Sequence, residues 1–365
     1  MAVAEIVAYK GPLHKMTQTT PTCLWNDSAS LKELAYSIEH GAVGATCNPV
    51  IVLGVLKKDI AVWKPRIQAL VSELPLATED EIAWRLVREV SIQAARLLEP
   101  IFHDHKGRNG RLSIQTDPRL FRDSRAILEQ AVQFSNLAPN MIVKIPATSA
   151  GIAAMEEATF RGVSVNATVS FTLPQAIAVA EAIERGLKRR QSQGLEIASM
   201  GPVCTIMVGR LDDWLKVLVE KNNVAIDPGY IEWAGVAVIK KAYQLYRKRG
   251  YRTRLLSAAF RNPMHWSELI GGDLVISPPY SWQVRFNASD IQVCSRIDEA
   301  VGGEIERELS KHFADFRRAS TEKGLSVEEF DTFAPTRRTL RQFILACHEL
   351  DALVRDVLIP DPDVA

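Results

Sequence analysis

The chain has 365 residues, of which 47% are hydrophobic and 24% are charged, and its formal net charge at pH 7 is +1. These values are typical of a globular protein, and the balanced charge gives no electrostatic reason to expect a nucleic acid or an acidic membrane as a partner. The five cysteines form no CxxC pair, which argues against a disulfide framework or a zinc site and predicts a reducing, cytoplasmic location.

The N-terminus shows no basic segment followed by an apolar run, so we expect no signal peptide. No stretch approaches the roughly 20 apolar residues of a membrane helix, and we expect no membrane anchoring.

Short apolar runs alternate with longer amphipathic segments, a pattern typical of βα units around a parallel sheet. The predicted strands lie near residues 23–27, 43–48, 112–116, 141–146, 163–169, 198–207, 253–259 and 274–277. Helical patterns lie between them, for example at 30–40, 82–98, 118–134, 151–159, 173–189 and 211–221.

Eight such units favour an α/β fold of the closed (β/α)8 TIM-barrel type over an open doubly wound sheet. No strand is followed by the GxGxxG turn of dinucleotide-binding proteins. After the eighth strand, two further helical patterns follow at about 298–322 and 336–357, with no linker before them. We therefore predict a single domain over residues 1–365, with a barrel core at about 20–280 and a C-terminal helical layer at about 281–360. This layer could cover the barrel mouth or form the interface of a homo-oligomer.

Lys144 lies in an apolar, strand-like run at residues 141–148, MIVKIPAT. Lysine is almost never fully buried unless it is paired or functional, because burial of an ammonium group is costly and favours loss of its proton. A neutral amine in a pocket is a nucleophile that can attack a carbonyl group. The alternative is a lysine at a strand end whose amine reaches solvent.

Polar residues follow or end most of the predicted strands, where the active site of a TIM barrel is built. Each has a structural alternative: Asp27 could cap a helix, Asn48 could belong to an Asn-Pro turn, Thr168 could be a β-branched strand residue, and Arg210 could pair with the acids of its own segment. Taken together and in this order, they favour a catalytic site. The set comprises Asp27, Thr46, Asn48, Gln115, Lys144, Asn166, Thr168, Thr205, Met207, Arg210 and Arg261.

Seven motifs in chain order resemble those of the transaldolase family. They span residues 22–280 and match the family's first-strand aspartate, its TTNP, lysine-strand and N-x-T motifs, its VGR-x-x-DW segment, and its ASFRN and TISP motifs. In this chain they read LWNDS at 24–28, TCNP at 46–49, VKIPAT at 143–148, GVSVNAT at 162–168, VGR with DW within 208–214, AAFRN at 258–262 and VISP at 275–278.

The resemblance implies a Schiff-base mechanism without metal or cofactor, in which Lys144 forms an imine with a ketose phosphate. It implies that Asp27 moves the proton of the hydroxyl at the breaking bond and that Thr168 orients a water molecule. Asn48 and Asn166 would bind substrate hydroxyls, with Thr46, Thr205 and Met207 also lining the substrate site. Arg210 and Arg261 match the family's phosphate clamp, for which the guanidinium fork is suited.

Four positions depart from the family pattern. Gln115 stands where a glutamate is expected, and Thr205 and Ala259 stand where serines are expected. Met207 stands where transaldolases have phenylalanine and the fructose-6-phosphate aldolase branch has tyrosine. Glutamine cannot accept a proton and methionine offers no hydroxyl, so neither branch is matched fully, although the aldolase branch shares the glutamine.

Three functions stay open on this basis. The leading one is a transferase that moves a dihydroxyacetone unit between sugar phosphates. The second is a lyase with the same imine chemistry, and the third is a catalytically retired relative that only binds sugar phosphates. In each case the expected partners are small-molecule sugar phosphates rather than nucleic acids or membranes.

Overall fold

The chain forms a closed barrel of eight parallel strands in a computed structural model that describes residues 8–363. Each strand pairs with its neighbours in sequence, and the last pairs with the first. This arrangement confirms the predicted (β/α)8 TIM barrel. The strands are β1 Cys23–Asn26, β2 Ala42–Thr46, β3 Arg111–Gln115, β4 Met141–Pro146, β5 Val165–Thr168, β6 Val203–Ile206, β7 Arg254–Ser257 and β8 Val275–Ile276.

Helices surround the barrel and continue beyond it, which also confirms the additional C-terminal helices. Two 3-10 helices lie at Pro118–Leu120 and Val327–Thr332. No helix in residues 8–363 is long and apolar enough to cross a membrane. The α-helices are α1 Pro12–Thr19, α2 Leu31–Glu39, α3 Pro49–Lys58, α4 Ile60–Glu73, α5 Glu79–Asp104, α6 Ser124–Ser135, α7 Ser149–Phe160, α8 Leu173–Ser192, α9 Val208–Asn222, α10 Pro228–Ile231, α11 Ala234–Arg249, α12 Met264–Ser267, α13 Tyr280–Asn287, α14 Gly303–His312, α15 Ala314–Ser320 and α16 Ala334–Leu358.

Two predicted helices are divided in the structure. The pattern at 118–134 is a 3-10 turn followed by α6, which begins after Asp123 because this carboxylate accepts hydrogen bonds from the N–H groups of Arg125 and Ala126. The pattern at 298–322 begins later, at Gly303, and is interrupted at Phe313, whose backbone is extended. In both cases the hydrophobic periodicity of the sequence continues across a break in the helix, so the pattern alone does not show the break.

The barrel interior is filled by large side chains at its centre. Trp25 of β1 is fully buried there with Ile142, Val203 and Leu256 from other strands. Gly44 of β2 makes room for it, since a Cβ atom at this position would lie 2.5 Å from the indole ring. The interior is therefore a packed core, which leaves the strand ends as the places for a site.

The buried side chain of Lys240 joins the barrel to the segment after β8. The Lys240 side chain of α11 is 4% exposed, and its Nζ donates to Glu268 Oε2 at 2.8 Å. It also donates to the carbonyl oxygens of Arg296 at 2.9 Å and Glu299 at 3.0 Å. All three ammonium protons are therefore satisfied without water.

We expect Glu268→Ala to lower the free energy of unfolding by about 3–5 kcal/mol, because it leaves the Lys240 ammonium buried without a counter-charge. Urea titration of parent and variant measures this difference. Glu39→Ala is the control, since the Lys10–Glu39 pair has side chains 50% and 58% exposed and its loss should change the free energy of unfolding far less. An equal loss of unfolding free energy in the two variants would contradict the claim that burial makes the Lys240–Glu268 pair more important for stability than the exposed pair.

Candidate active site

A cavity of about 160 Å³ lies at the C-terminal ends of the barrel strands. Seven of the eleven predicted site residues line it, and the other four, Thr46, Gln115, Asn166 and Thr168, lie buried behind the lining. The apolar part of the wall includes Val50, Ile51, Pro279 and Phe343. The seven lining residues are Asp27, Asn48, Lys144, Thr205, Met207, Arg210 and Arg261.

Lys144 is 4% exposed and sits in β4 between Gln115 of β3 and Asn166 of β5. It does not reach solvent, and it forms no salt bridge with any residue in the range 8–363. Burial lowers the pKa of its amine, and the positive charge of Arg210 adds to this effect, while Asp27 and Cys47 oppose it. The lowered pKa increases the neutral, nucleophilic fraction of the amine at neutral pH.

Asp27 follows β1 directly and is half-buried at the cavity. It does not cap the next helix, because α2 begins after Ser30 and has no side-chain cap. Thr46 Oγ1 instead donates to Asp27 Oδ1 at 2.5 Å and so orients the carboxylate. Asn48 does cap α3, accepting from the Ile51 N–H at 2.9 Å, but it lines the cavity as well.

The two candidate phosphate-binding arginines lie at the cavity mouth with separate partners. Arg210, in the first turn of α9, donates from Nη1 to Gln342 Oε1 at 2.6 Å. Arg261 pairs with Asp213 at 2.9 Å. The interpretation that Arg210 pairs with the acids of its own segment is therefore wrong. Burial lowers the pKa of Arg210 to about 10, reinforced by the charge of Arg261, and the Arg210 guanidinium remains protonated at neutral pH.

Several polar side chains meet behind the lining. Asn166 donates to Ser113 Oγ at 3.0 Å and accepts from Thr205 Oγ1 at 2.8 Å. Gln115 is 2% exposed, and its Oε1 has no hydrogen-bond partner within residues 8–363. The only hydrogen-bond partner of Thr168 Oγ1 there is the Met207 sulfur, at 4.0 Å. Buried polar atoms without partners are typical of positions where water binds.

Two non-glycine residues beside the site have left-handed backbones. Val169, directly after Thr168, has φ of 52°, and Ala259, two residues before Arg261, has φ of 64°. This conformation costs about 1–3 kcal/mol for each residue and persists only where the surroundings impose it. The left-handed backbones of Val169 and Ala259 therefore hold the ends of β5 and β7 in position at some cost in stability. Such strain is common at functional sites.

The sequence profile of the Transaldolase/Fructose-6-phosphate aldolase family matches residues 24–332 of this chain. The chain belongs to this family. Among curated relatives, it is 32% identical over 234 residues to Transaldolase 1 of Streptomyces avermitilis, a match that covers 62% of this chain and 61% of the relative. It is 30% identical over 274 residues to Transaldolase 1 of Streptomyces coelicolor, covering 72% of this chain and 70% of the relative. The match to Transaldolase 2 of Streptomyces coelicolor is 30% over 234 residues and covers 62% of each.

The chain thus spans about three fifths of the length of Transaldolase 1 of Streptomyces avermitilis and of Transaldolase 2 of Streptomyces coelicolor. Within this member of the Transaldolase/Fructose-6-phosphate aldolase family, the four departures from the expected pattern lie in or beside the cavity that contains Lys144. Gln115 is the β3 partner of Lys144, Thr205 bonds to Asn166, and Met207 contacts Thr168. Ala259 lies in the cavity wall. The changes therefore alter the environment of the amine rather than scattered surface positions.

Sequence reasoning missed two residues of the C-terminal helix. Phe343 of α16 lines the cavity, and its ring lies 5.7 Å from the Arg210 guanidinium carbon. The neighbouring Gln342 binds the same guanidinium. No local signal distinguishes these residues from the rest of an amphipathic helix. α16 therefore contributes to the wall of the cavity at the barrel mouth.

His265 and Asp212 were also missed. They form a hydrogen-bonded pair at 2.8 Å, with side chains 0% and 1% exposed. His265 Nδ1 accepts from the Arg261 N–H at 3.1 Å, which fixes the backbone that carries this arginine. Burial raises the pKa of Asp212, and the hydrogen bond from His265 opposes that shift. The pair therefore positions the Arg261 loop from beneath the site.

Proposed function

We propose that this chain is a transaldolase-like transferase, in which Lys144 forms an imine with a ketose phosphate and a dihydroxyacetone unit passes to an aldose phosphate. The observation that carries the proposal is the buried, unpaired amine of Lys144 in a cavity that also contains a carboxylate and two guanidinium groups. The family membership and the transaldolase names of the relatives support the same conclusion.

The first step is attack of the neutral Lys144 amine on the ketone carbon, followed by loss of water to give a protonated imine. The imine withdraws electrons from the neighbouring carbon–carbon bond. Asp27 accepts the proton of the hydroxyl beyond that bond, the bond breaks, and an aldehyde leaves while an enamine stays on Lys144. A second aldehyde then captures the enamine, and hydrolysis frees the product. The imine itself is the electron sink, so these steps require no metal.

The arginines at the mouth are suited to the phosphate group of an open-chain sugar. Arg210 and Arg261 both line the cavity and present planar guanidinium groups, which bind phosphate through paired hydrogen bonds. Each guanidinium is held by a protein acceptor, Gln342 or Asp213, and keeps further N–H groups for a ligand. A phosphate at this position leaves the sugar carbons directed toward Lys144.

Proton transfer during imine formation is assigned to Asp27 and a water held by Thr168. The only hydrogen-bond partner of the Thr168 hydroxyl within residues 8–363 is a thioether at 4.0 Å, a weak acceptor that a water molecule would replace. Gln115 can bind the same water through its unpaired Oε1 but cannot accept its proton. Asp27 is then the proton acceptor of the relay.

We further propose that the barrel core, at about 20–280, and the helical layer, at about 281–360, act as one domain. The support is the contribution of Phe343 and Gln342 to the mouth of the cavity. Further contacts between α16 and the barrel helices include the Lys57–Glu349 pair at 2.7 Å. Without α16 the wall beside Arg210 would be open to solvent.

A lyase with the same imine chemistry is the second candidate, and Gln115 favours it because the fructose-6-phosphate aldolase branch shares this residue. Acceptor dependence separates the two functions. A ketose phosphate is incubated with and without an aldose phosphate, and the released aldehyde is measured. Cleavage at an undiminished rate without acceptor would reject the transferase and support the lyase.

Borohydride trapping tests the imine itself. The chain is incubated with fructose 6-phosphate and sodium borohydride, digested, and examined by mass spectrometry. We expect a reduced adduct on the peptide that contains Lys144. No adduct with any of several ketose phosphates would reject both enzymatic functions and leave the third alternative, a sugar-phosphate-binding relative.

Gln115→Glu is expected to change the pH profile of the reaction. A carboxylate at this buried position next to Lys144 can accept the proton that Gln115 cannot, and its charge raises the pKa of the amine. We therefore expect the rising limb of kcat/KM to move to higher pH, together with a changed ratio of transfer to hydrolysis. Gln130→Glu, on α6 outside the cavity, is the control; an unchanged profile in Gln115→Glu would contradict the water-relay position.

A further inference from the structure

A second and larger cavity, of about 600 Å³, lies at the opposite, N-terminal end of the barrel. Its walls are the segments that lead into three adjacent strands, with Pro202 before β6, Thr253 before β7 and Asp273 before β8. This volume lies within the range of about 300–1,000 Å³ that is usual for small-molecule sites. The cavity shares no lining residue with the candidate active site.

The charge of this cavity is strongly positive. Four arginines and a single acid line it. Arg108 pairs with the acid, Asp273, at 2.7 Å, and Arg247 pairs with Asp298 at 2.9 Å. The guanidinium groups of the other two, Arg252 and Arg254, have no carboxylate within 4.0 Å in the range 8–363, although Glu184 Oε1 accepts from the backbone N–H of Arg252 at 2.7 Å. Two positive charges in the wall are thus without a counter-charge.

Arg254 is only 8% exposed, so its lack of a carboxylate is costly. Its Nη2 donates to the Arg108 carbonyl and to Asn109 Oδ1, both at 3.0 Å. Arg111, 4% exposed, lies close by and donates to three carbonyl groups, whereas Arg254 also donates from Nη1 to Cys23 Sγ at 3.5 Å. Burial and then the charge of Arg254 lower the pKa of Arg111 to about 10. An anion in the cavity would reduce this repulsion between buried cations.

Two further features of the lining fit a ligand. Thr253 is 3% exposed, and its Oγ1 has no hydrogen-bond partner among residues 8–363. Three tyrosines, Tyr243, Tyr246 and Tyr251, contribute to the same wall. Guanidinium groups are suited to phosphate oxygens, while tyrosine rings are suited to the flat organic part of a ligand.

We propose that this cavity binds an organic phosphate, with Arg252 and Arg254 at the phosphate group and the tyrosine side of the wall against the organic part. The proposal is independent of the reaction at Lys144, because the two sites lie at opposite ends of the barrel. The alternative is that the arginines only brace the base of the barrel through their bonds to carbonyl groups.

Equilibrium dialysis of the full chain with labelled ADP tests the proposal. ADP is chosen because it carries phosphate on a flat ring system and is too large for the cavity of about 160 Å³ at Lys144. We expect saturable binding that adenosine does not compete for and inorganic phosphate does. Absence of ADP binding at millimolar concentration, or equal competition by adenosine, would overturn the proposal.

Variants then locate the bound ADP. Arg252→Gln, at an exposed position that should tolerate the change, is expected to weaken ADP binding about tenfold or more, because it removes a charged hydrogen-bond donor. Arg125→Gln, which removes an arginine with an 86% exposed side chain elsewhere on the surface, controls for net charge and should leave binding unchanged. Arg210→Ala should also leave it unchanged. Loss of binding in Arg210→Ala with retention in Arg252→Gln would place ADP at the other site and reject the proposal.

Discussion

Lys144→Met is expected to abolish the borohydride adduct and to lower kcat about 10³-fold or more, because it removes the only group assigned to form the imine. Methionine keeps the length and apolar stem of lysine without the amine. The same change should raise the free energy of unfolding, since a buried amine that must give up its proton is replaced by an apolar group. Loss of activity with a gain in stability would distinguish a functional lysine from a structural one.

The stability difference between Lys144→Met and the parent should depend on pH. The folded-state pKa of Lys144 lies below its unfolded value, so between the two values the unfolded chain binds a proton that the folded chain does not. Stability of the parent therefore falls as pH decreases through this window, by about 1.4 kcal/mol per unit of pKa depression. Lys144→Met lacks this dependence, and its advantage should grow from pH 10 toward neutrality in urea titrations.

Lys188→Met provides the matched control for this experiment. Lys188 is exposed on α8, so its replacement should change neither kcat nor the pH dependence of unfolding. A trapped adduct that persists in Lys144→Met would show that another amine reacts. Such a result would refute the assignment of Lys144 as the nucleophile.

Asp27→Asn is expected to lower the rate of carbon–carbon cleavage about 10²–10⁴-fold, because asparagine keeps the shape of the side chain but cannot accept the hydroxyl proton. Imine formation should be slower, because Asp27 also accepts protons in that step, but the imine should still accumulate on long incubation. The borohydride adduct on Lys144 should therefore persist while aldehyde release is lost. Removal of the negative charge also takes away an interaction that raises the pKa of Lys144, so the remaining activity should extend to lower pH.

Thr46→Val is the companion to Asp27→Asn. It removes the hydroxyl that donates to Asp27 Oδ1 at 2.5 Å but leaves the carboxylate in place. We therefore expect a smaller loss of cleavage than in Asp27→Asn, with the adduct again retained. Undiminished cleavage in Asp27→Asn would contradict its role as the proton acceptor and move that role to another group in the cavity.

The strands were predictable because a parallel strand that is buried on both faces appears in the sequence as a short run of apolar residues. Runs such as 141–146 are apolar on both faces, and the structure places β4 at Met141–Pro146. Strand ends were less exact where the chain lacks such a run. The sixth strand, predicted over 198–207, is confined to Val203–Ile206, because Gly201 and Pro202 precede it in a non-strand segment.

The grouping of the candidate site was also predictable, since all strands of a (β/α)8 barrel end at the same face. Lys144, Asp27 and Arg210 are distant in the chain and yet line one cavity for this reason. Individual pairings were not predictable. Asp213 was weighed as a partner of Arg210, but it binds Arg261, because the helical turn after β6 and the loop after β7 meet at the cavity mouth.

By itself, the sequence determined the barrel, the order of its strands and the buried lysine with its strand-end neighbours, because these follow from local periodicity and from a rule of topology. Only the tertiary structure decided that α16 brings Phe343 to the mouth, that Thr46 orients Asp27, and that Arg252 and Arg254 share a cavity without a counter-charge. These contacts join residues from separate elements, and they depend on side-chain distances and burial that no local pattern encodes.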